Sequence, residues 1–130
     1  MSCANCDGET LVVPVPTDLR EYLPGTATGA TICRRCLSMG PSDDPPASVP
    51  DLTVLDDAMP SDPDASVPMV LLLGLLDSLA VHRQEITALL ERVERAGTDP
   101  LLVLDRLDDA YGDDAHVDLG RRRHQLEQLL

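Results

Sequence analysis

The sequence predicts a small α+β protein: an N-terminal cysteine-rich β-hairpin, then an acidic linker, then an α-helical hairpin or three-helix domain. Two CxxC pairs frame strand-like runs at the start of the chain. Six prolines and seven acidic residues, with no basic residue, fill the stretch 41–64. Apolar residues then recur at helical spacings toward the C-terminus. These changes predict a cysteine module at 1–40, a linker at 41–65 and a helical domain at 66–130.

The cysteines form two CxxC pairs, and residues 7–32 separate them: Cys3 and Cys6, Cys33 and Cys36. A tight CxxC turn directs both thiolates at one point in space, so two such turns supply four sulfurs in tetrahedral geometry. We therefore expect the four cysteines to bind one Zn²⁺. Four thiolate ligands leave zinc no open coordination position, which makes the predicted site structural.

The residues between the cysteine pairs fit a zinc ribbon, in which a strand follows one CxxC knuckle and another strand leads to the second. "TLVVPV" (10–15) and "GATI" (29–32) read as strands, and a turn-rich stretch with Pro24 and Gly25 separates them. Gly8 is expected to supply a positive φ where the chain leaves the first knuckle. Because a two-stranded sheet is marginal in water, metal binding would contribute much of the folding energy.

Three other uses of the cysteines stay open. A rubredoxin-like iron site has similar spacing but packs aromatic rings around the metal, and this part of the chain has only Tyr22. A thiol–disulfide oxidoreductase places one CxxC at a helix start within a βαβ unit, which neither pair matches. Four unligated core cysteines would not explain the paired spacing. Visible absorption from iron, or a reversible disulfide, would identify a redox protein.

The linker 41–65 is expected to be mostly irregular and semi-extended. Proline removes backbone donors and favours extended neighbours, while the aspartates repel one another. Within it, "LTVLDDAM" (52–59) has enough apolar residues to form a short turn that docks onto a neighbouring element.

The first predicted helix runs from about Pro68 to Ala96. Its apolar residues are spaced by three, four and seven, Ser66 suits its N-cap and Gly97 its C-terminal stop. His82 falls on the core-facing side of this pattern, where a lone histidine is ordinarily an interior residue rather than a ligand.

Two further helices follow. Thr98 or Asp99 caps the next one, Pro100 occupies its first turn and Gly112 ends it. The last segment, 115–130, carries its leucines on one side. Short connections predict antiparallel packing of the three helices.

The charge composition predicts an acidic protein adapted to a cytoplasm with molar salt, and an acidic, partly disordered regulatory protein is the alternative. The formal net charge is −13, the ten basic residues are all arginine, and aspartate outnumbers glutamate. Such self-repulsion is costly in dilute buffer but is screened in molar salt, where the Debye length is about 3 Å. "MSCANCDGET" lacks the features of a signal peptide, and the apolar run at 67–76 is too short to span a membrane. We expect a cytoplasmic protein without membrane contact.

The chain offers no residues that predict catalysis or an organic cofactor, because no phosphate-binding loop, nucleophile elbow or acid–base carboxylate pair is present. Nucleic-acid binding, as a transcriptional or translational regulator, is the main alternative and would use Arg34 and Arg35 in the second knuckle. It is disfavoured, because phosphate contacts weaken steeply with salt and no aromatic platform exists for stacking bases. His116 and His124 have no partner at ligand spacing.

The remaining class is a non-enzymatic adaptor that binds a protein partner through its aliphatic helical face or its linker. A helical domain without large aromatic residues could also bury Leu129 and Leu130 in a homodimer.

Several segments together resemble small haloarchaeal proteins classed as a domain of unknown function. They include the paired CxxC motifs at Cys3, Cys6, Cys33 and Cys36, the Asp/Pro linker, "LLLGLLDSLAVHR" and "DLGRRRHQLEQLL". The resemblance covers nearly the whole chain. It implies a haloarchaeal cytoplasmic origin and brings no assigned activity or partner.

Overall fold

A computed structural model describes residues 2–129 of this α+β protein. A three-stranded antiparallel sheet near the N-terminus comprises β1 (Thr10–Pro14), β2 (Gly29–Cys33) and β3 (Met39–Ser42), in the order β1-β2-β3. A 3₁₀ turn at Thr17–Tyr22 fills the excursion between β1 and β2. The helices follow the sheet along the chain.

The two predicted strands are present, but the sheet has a third strand that the predicted hairpin lacks. β3 has the sequence MGPS, whose glycine and proline disfavour strands, so local propensity gives no sign of it. The turn through the second cysteine pair returns the chain beside β2. There Ile32 pairs with Met39 and Thr31 with Gly40.

The segment predicted as a linker contains the docked turn expected within "LTVLDDAM". A 3₁₀ turn spans Leu52–Val54, and the side chains of Leu52, Leu55 and Met59 are buried. The hydroxyl of Tyr111 donates a 2.8 Å hydrogen bond to the Leu55 carbonyl. This part of the chain therefore packs against the helices.

The prediction of one long helix from Pro68 to Ala96 is wrong, because the segment forms two helices. These are α1 (Pro63–Leu75) and α2 (Arg83–Arg95), and a 3₁₀ turn at Leu76–Ser78 lies in the bend between them. The apolar spacing in the sequence continues through the bend, because Leu76 and Leu79 are buried there just as they would be in a helix. The spacing therefore gives no sign that the helix is interrupted.

The start of α1 also differs from the prediction. Asp62 rather than Ser66 is the N-cap, and its carboxylate accepts a 3.0 Å bond from the Asp64 N–H. Ser66 is buried inside the helix.

The remaining helices are α3 (Pro100–Tyr111) and α4 (Leu119–Glu127), so four helices follow the sheet instead of three. The predicted signals around α3 are confirmed: the Asp99 carboxylate accepts from the N–H groups of Leu101 and Leu102. Gly97 and Gly112 take the positive φ values of +94° and +53° that favour glycine after a helix.

The buried core is centred on α1, whose residues 65–73 are all buried. α1 packs against α2 and β3, and α3 packs against α4. Core side chains come from the sheet (Val13, Ile32), from the predicted linker (Leu52) and from the helices (Leu72, Leu104). The predicted division of the chain into 1–40, 41–65 and 66–130 stays a prediction.

None of the helices formed by residues 2–129 combines the length and the apolar character needed to cross a membrane.

Candidate metal centre

Each cysteine pair forms a knuckle with the same backbone hydrogen bonds. In the first, the N–H of Asp7 donates to the Cys3 carbonyl at 2.9 Å, and the N–H of Cys3 donates to the Gly8 carbonyl at 2.8 Å. In the second, the N–H of Leu37 donates to the Cys33 carbonyl at 3.0 Å. The N–H of Cys33 completes the match by donating to the Ser38 carbonyl at 3.0 Å. The two knuckles are therefore equivalent in backbone structure.

The residue after the second cysteine of each knuckle adopts the left-handed conformation. φ is +62° at Asp7 and +65° at Leu37. The positive φ expected at Gly8 is therefore found one residue earlier, at an aspartate, which tolerates it better than most side chains. Leu37 does not share that tolerance, but its fully buried side chain anchors the second knuckle in the core.

Gly8 is required for close approach instead. A Cβ atom at this position would lie 2.7 Å from the Arg35 Cβ, 2.9 Å from the Cys33 Sγ and 3.2 Å from the Cys6 Sγ. Glycine therefore allows the two knuckles to bring their sulfur atoms together.

All four cysteine sulfurs lie within 4.8 Å of one another. The Sγ atoms of Cys3 and Cys36 are 3.7 Å apart, and those of Cys6 and Cys33 are 3.5 Å apart. A disulfide requires about 2.05 Å between sulfurs, and all four thiols are free. A tetrahedral site with metal–sulfur bonds of about 2.3 Å has sulfur–sulfur edges of about 3.8 Å. The cluster could therefore hold one metal ion.

Hydrogen bonds point toward the sulfurs from both knuckles. The backbone N–H of Asn5 donates to the Cys3 Sγ, and that of Arg35 donates to the Cys33 Sγ, each at 3.3 Å. The Asn5 side-chain amide lies 3.6 Å from the Cys36 Sγ. Such donors stabilise thiolate over thiol, because they place partial positive charge beside the sulfur.

Ser38 bridges two of the cysteines. Its Oγ lies 3.1 Å from the Cys3 Sγ and 3.2 Å from the Cys36 Sγ, so its single O–H can donate to either. The Ser38 hydroxyl is the main reason that the pKa of Cys3 falls to about 6. Burial opposes ionisation of Cys36, but hydrogen bonds from the side chain and backbone of Ser38, with smaller contributions from Asn5 and Cys6, lower the pKa of that thiol.

Cys6 behaves in the opposite way. The Gly8 backbone N–H favours its thiolate, but burial and the three other cysteine side chains outweigh that bond and raise the Cys6 pKa to about 12. The cluster thus favours thiolates at Cys3 and Cys36 and retains a proton at Cys6. A bound cation would have to displace that proton, which makes metal binding and proton release coupled events.

His116 joins the centre to the connection between α3 and α4. Its backbone N–H donates to the Cys36 carbonyl at 2.7 Å. Its Nδ1 lies 3.1 Å from the same oxygen and donates a second bond when it carries the proton. A residue 80 positions away in the chain thus fixes the second knuckle.

The other residues singled out from the sequence lie outside the sulfur cluster. Arg34 is exposed and pairs with Glu9 across 3.6 Å, which agrees with a structural role for this arginine. His82 lies half-buried at the start of α2 rather than in the middle of a helix, and His124 is exposed on α4. Leu129 packs against the core, and Leu130 lies outside the described residues.

Sequence reasoning missed three residues around the sulfurs: Asn5, Ser38 and His116. Asn5 lies within the first CxxC and Ser38 two residues after the second, so proximity in the chain could have suggested both. No sequence signal connects His116 to Cys36.

The fold and the site define a class: a small α+β protein with a four-cysteine centre between two equivalent knuckles. Comparison with protein families gives a match over residues 2–130 to the "Family of unknown function (DUF6276)", and the chain belongs to this family. This membership agrees with the resemblance noted from the sequence. No curated protein and no solved structure matches the chain.

Proposed function

We propose that the four cysteines bind one Zn²⁺ ion that serves a structural role. The observation that carries this proposal is the set of sulfur–sulfur distances, 3.5 and 3.7 Å within pairs that span the two knuckles. The N–H and O–H donors around the sulfurs support a thiolate site. Cys₄ coordination is typical of structural zinc and fills every position of a tetrahedral ion.

Two features favour zinc over redox chemistry. All four sulfurs lie within 4.8 Å of one another and none is in a disulfide, which suits one ion bound by four thiolates better than a disulfide couple. The hydroxyl and amide side chains near the sulfurs, Ser38 and Asn5, replace the aromatic rings that surround rubredoxin-like iron.

We further propose that the protein is a non-enzymatic protein–protein interaction module, an adaptor that works in a high-salt cytoplasm. A metal with four protein ligands has no position for substrate, which supports a structural rather than a catalytic centre. Exposed aliphatic residues, Leu102 on α3 and Val81 before α2, offer apolar surface to a protein partner. Their side chains are 52% and 78% exposed.

The metal proposal is tested by elemental analysis of the intact chain purified in molar KCl. We expect one zinc per chain, four thiols that react only after chelation, and loss of zinc in Cys33→Ser. Ser48→Ala, at an exposed position in the acidic segment, serves as the control. Stoichiometric iron with visible absorption, or a metal-free chain with a reversible disulfide, would contradict the proposal.

The adaptor proposal is tested by cross-linking the tagged chain in a halophilic host. We expect one specific protein partner that Leu102→Asp loses while zinc content and helical signal are unchanged. A monomer that cross-links to no protein would contradict the adaptor. Retention of DNA or RNA in molar KCl, lost in an Arg34→Ala, Arg35→Ala variant, would establish the nucleic-acid alternative instead.

A further inference from the structure

A cleft lies away from the cysteines, between the sheet and the first two helices. It has a volume of 360 Å³, within the usual range for sites that hold a small molecule or one long side chain. The 3₁₀ turn at Thr17–Tyr22, strand β3, the end of α1 and the start of α2 contribute its walls. Its apolar lining includes Leu23, Met39 and Leu75.

The charged side chains that line this cleft are both glutamates, Glu21 and Glu85. Neither makes an ion pair with an arginine among residues 2–129, although Glu85 is half-buried. By contrast, Asp18, which lies in the same 3₁₀ turn as Glu21, forms an ion pair with Arg92 of α2 at 2.6 Å. The arginine that ties the turn to α2 thus forms its ion pair with Asp18, and the two cleft carboxylates have no ion-pair partner among residues 2–129.

The ring of Tyr22 lines the cleft beside these carboxylates. Burial is the main cause that raises the pKa of Tyr22, and the charge of Glu21 and a hydrogen bond with its side chain raise it further. The Arg92 charge lowers this pKa and the Glu85 charge raises it, so the hydroxyl lies close to both glutamates and to the arginine that pairs with Asp18. An aromatic ring, two carboxylates and an apolar lining are together the features that bind an organic cation.

We propose that this cleft binds a guanidinium group. A planar guanidinium can donate hydrogen bonds to both carboxylates, stack on the tyrosine ring and place its aliphatic stem against Met39 and Leu75. It is also less strongly hydrated than an ammonium group, so it loses less on entering the cleft from concentrated salt. The site does not depend on the metal centre or on the proposed adaptor role.

The guanidinium has two sources, an arginine side chain of a polypeptide and a small free compound. The probes are the capped tripeptide Gly-Arg-Gly, its Gly-Lys-Gly counterpart and agmatine. Each is titrated into the zinc-loaded full chain at pH 8. Amide chemical shifts report both affinity and location at 0.5 and 2 M KCl.

We expect the arginine probes to shift Tyr22, Gly40 and Glu85 amides and to bind at least fivefold more tightly than the lysine tripeptide. Glu85→Gln should weaken binding of the arginine tripeptide about tenfold. Tyr22→Leu should also weaken it, so that the arginine tripeptide binds little more tightly than the lysine tripeptide. Glu91→Gln, an exposed glutamate elsewhere on α2, is the matched control and should change nothing. Tighter binding of the tripeptide assigns the site to a protein partner, and tighter binding of agmatine assigns it to a free compound.

The proposal is overturned by an absence of saturable shifts in the cleft, by equal binding of arginine and lysine, or by equal losses in Glu85→Gln and Glu91→Gln. If Tyr22→Leu unfolds the chain, the comparison of Glu85→Gln with its control Glu91→Gln decides whether the proposal stands.

Discussion

At the scale of single residues, the centre depends on polar groups that touch the sulfurs as much as on the cysteines. Ser38 contacts two sulfurs, Asn5 offers both its backbone and its side-chain N–H, and Gly8 leaves room for the second knuckle. The CxxC spacing identifies the four cysteines, because a knuckle needs that spacing. The N–H and O–H groups that contact the sulfurs depend on how the two knuckles face each other. The CxxC spacing does not specify that arrangement.

Ser38→Ala should weaken metal binding by about 10-fold to 100-fold, the usual effect of losing a group that hydrogen-bonds a metal ligand. Without the hydroxyl, the pKa of Cys3 rises from its lowered value of about 6. Protons then compete better with the metal, so half-loss of zinc should move to higher pH. Competition with a chromophoric chelator across pH 5–8 measures both effects.

Ser48→Ala is the control for that measurement and should match the unmodified chain. Unchanged affinity in Ser38→Ala would show that the hydroxyl does not support the thiolates.

At the scale of elements, the close approach of α1 to β3 shapes the fold. A Cβ atom on Gly74 would lie 2.3 Å from the Met39 Cε and 2.7 Å from its Cβ. Glycine thus lets the helix seat against a strand that local propensity does not favour. In the sequence, the same glycine appears only as an interruption of an apolar helix.

Gly74→Ala should destabilise the protein by about 1–3 kcal/mol, the usual cost of overpacking a tight contact. Alanine has the higher intrinsic helix propensity, so a loss of stability would identify packing as the dominant effect. Urea unfolding at fixed KCl and saturating zinc measures the change.

Met39→Ala combined with Gly74→Ala should recover part of the lost stability, because the flexible end of the methionine is then absent. A gain of stability in the single Gly74→Ala variant would contradict the close contact.

At the scale of the whole molecule, the four-cysteine centre and the helices share contacts. His116 links the second knuckle to the start of the α4 segment, and Tyr111 links α3 to the predicted linker. The core runs without a gap from Val13 in β1 to Leu126 in α4. We therefore expect the sheet, the middle segment and the helices to unfold together.

Removing the metal should lower the thermal midpoint of the whole chain in a single transition. Structural zinc contributes about 10–16 kcal/mol in small domains, which is comparable to the total stability of about 5–15 kcal/mol for a typical protein. Circular dichroism at 222 nm, with and without a chelator, follows the helices directly. Helices that melt at an unchanged temperature after chelation would show that the cysteine part folds separately.

Salt should stabilise the protein. With a net charge of −13, self-repulsion is large at 0.1 M KCl, where the Debye length is about 10 Å, and small at 1 M. The thermal midpoint should rise over this range. The double variant Asp43→Asn, Asp44→Asn changes two exposed positions and takes the net charge from −13 to −13 + 2 = −11. It should raise the thermal midpoint more at 0.1 M KCl than at 1 M KCl. A midpoint that is independent of KCl would remove the case for adaptation to salt.

The features that depend on local chemistry could be predicted from the order of the amino acids alone. These are the α+β class, the four cysteines, strands β1 and β2, and the boundaries of α3, where Asp99, Pro100 and Gly112 act through their own backbone geometry. Each of these signals lies within a few residues of the element that it specifies.

The features that depend on distant neighbours became visible only once the chain was folded. Strand β3 forms because the second knuckle returns it to β2, and the bend between α1 and α2 is hidden because its leucines are as buried as those of a helix. His116 meets Cys36 across 80 positions for the same reason. Long-range packing brings these groups together, and neither propensity nor periodicity records which distant residues will share a contact.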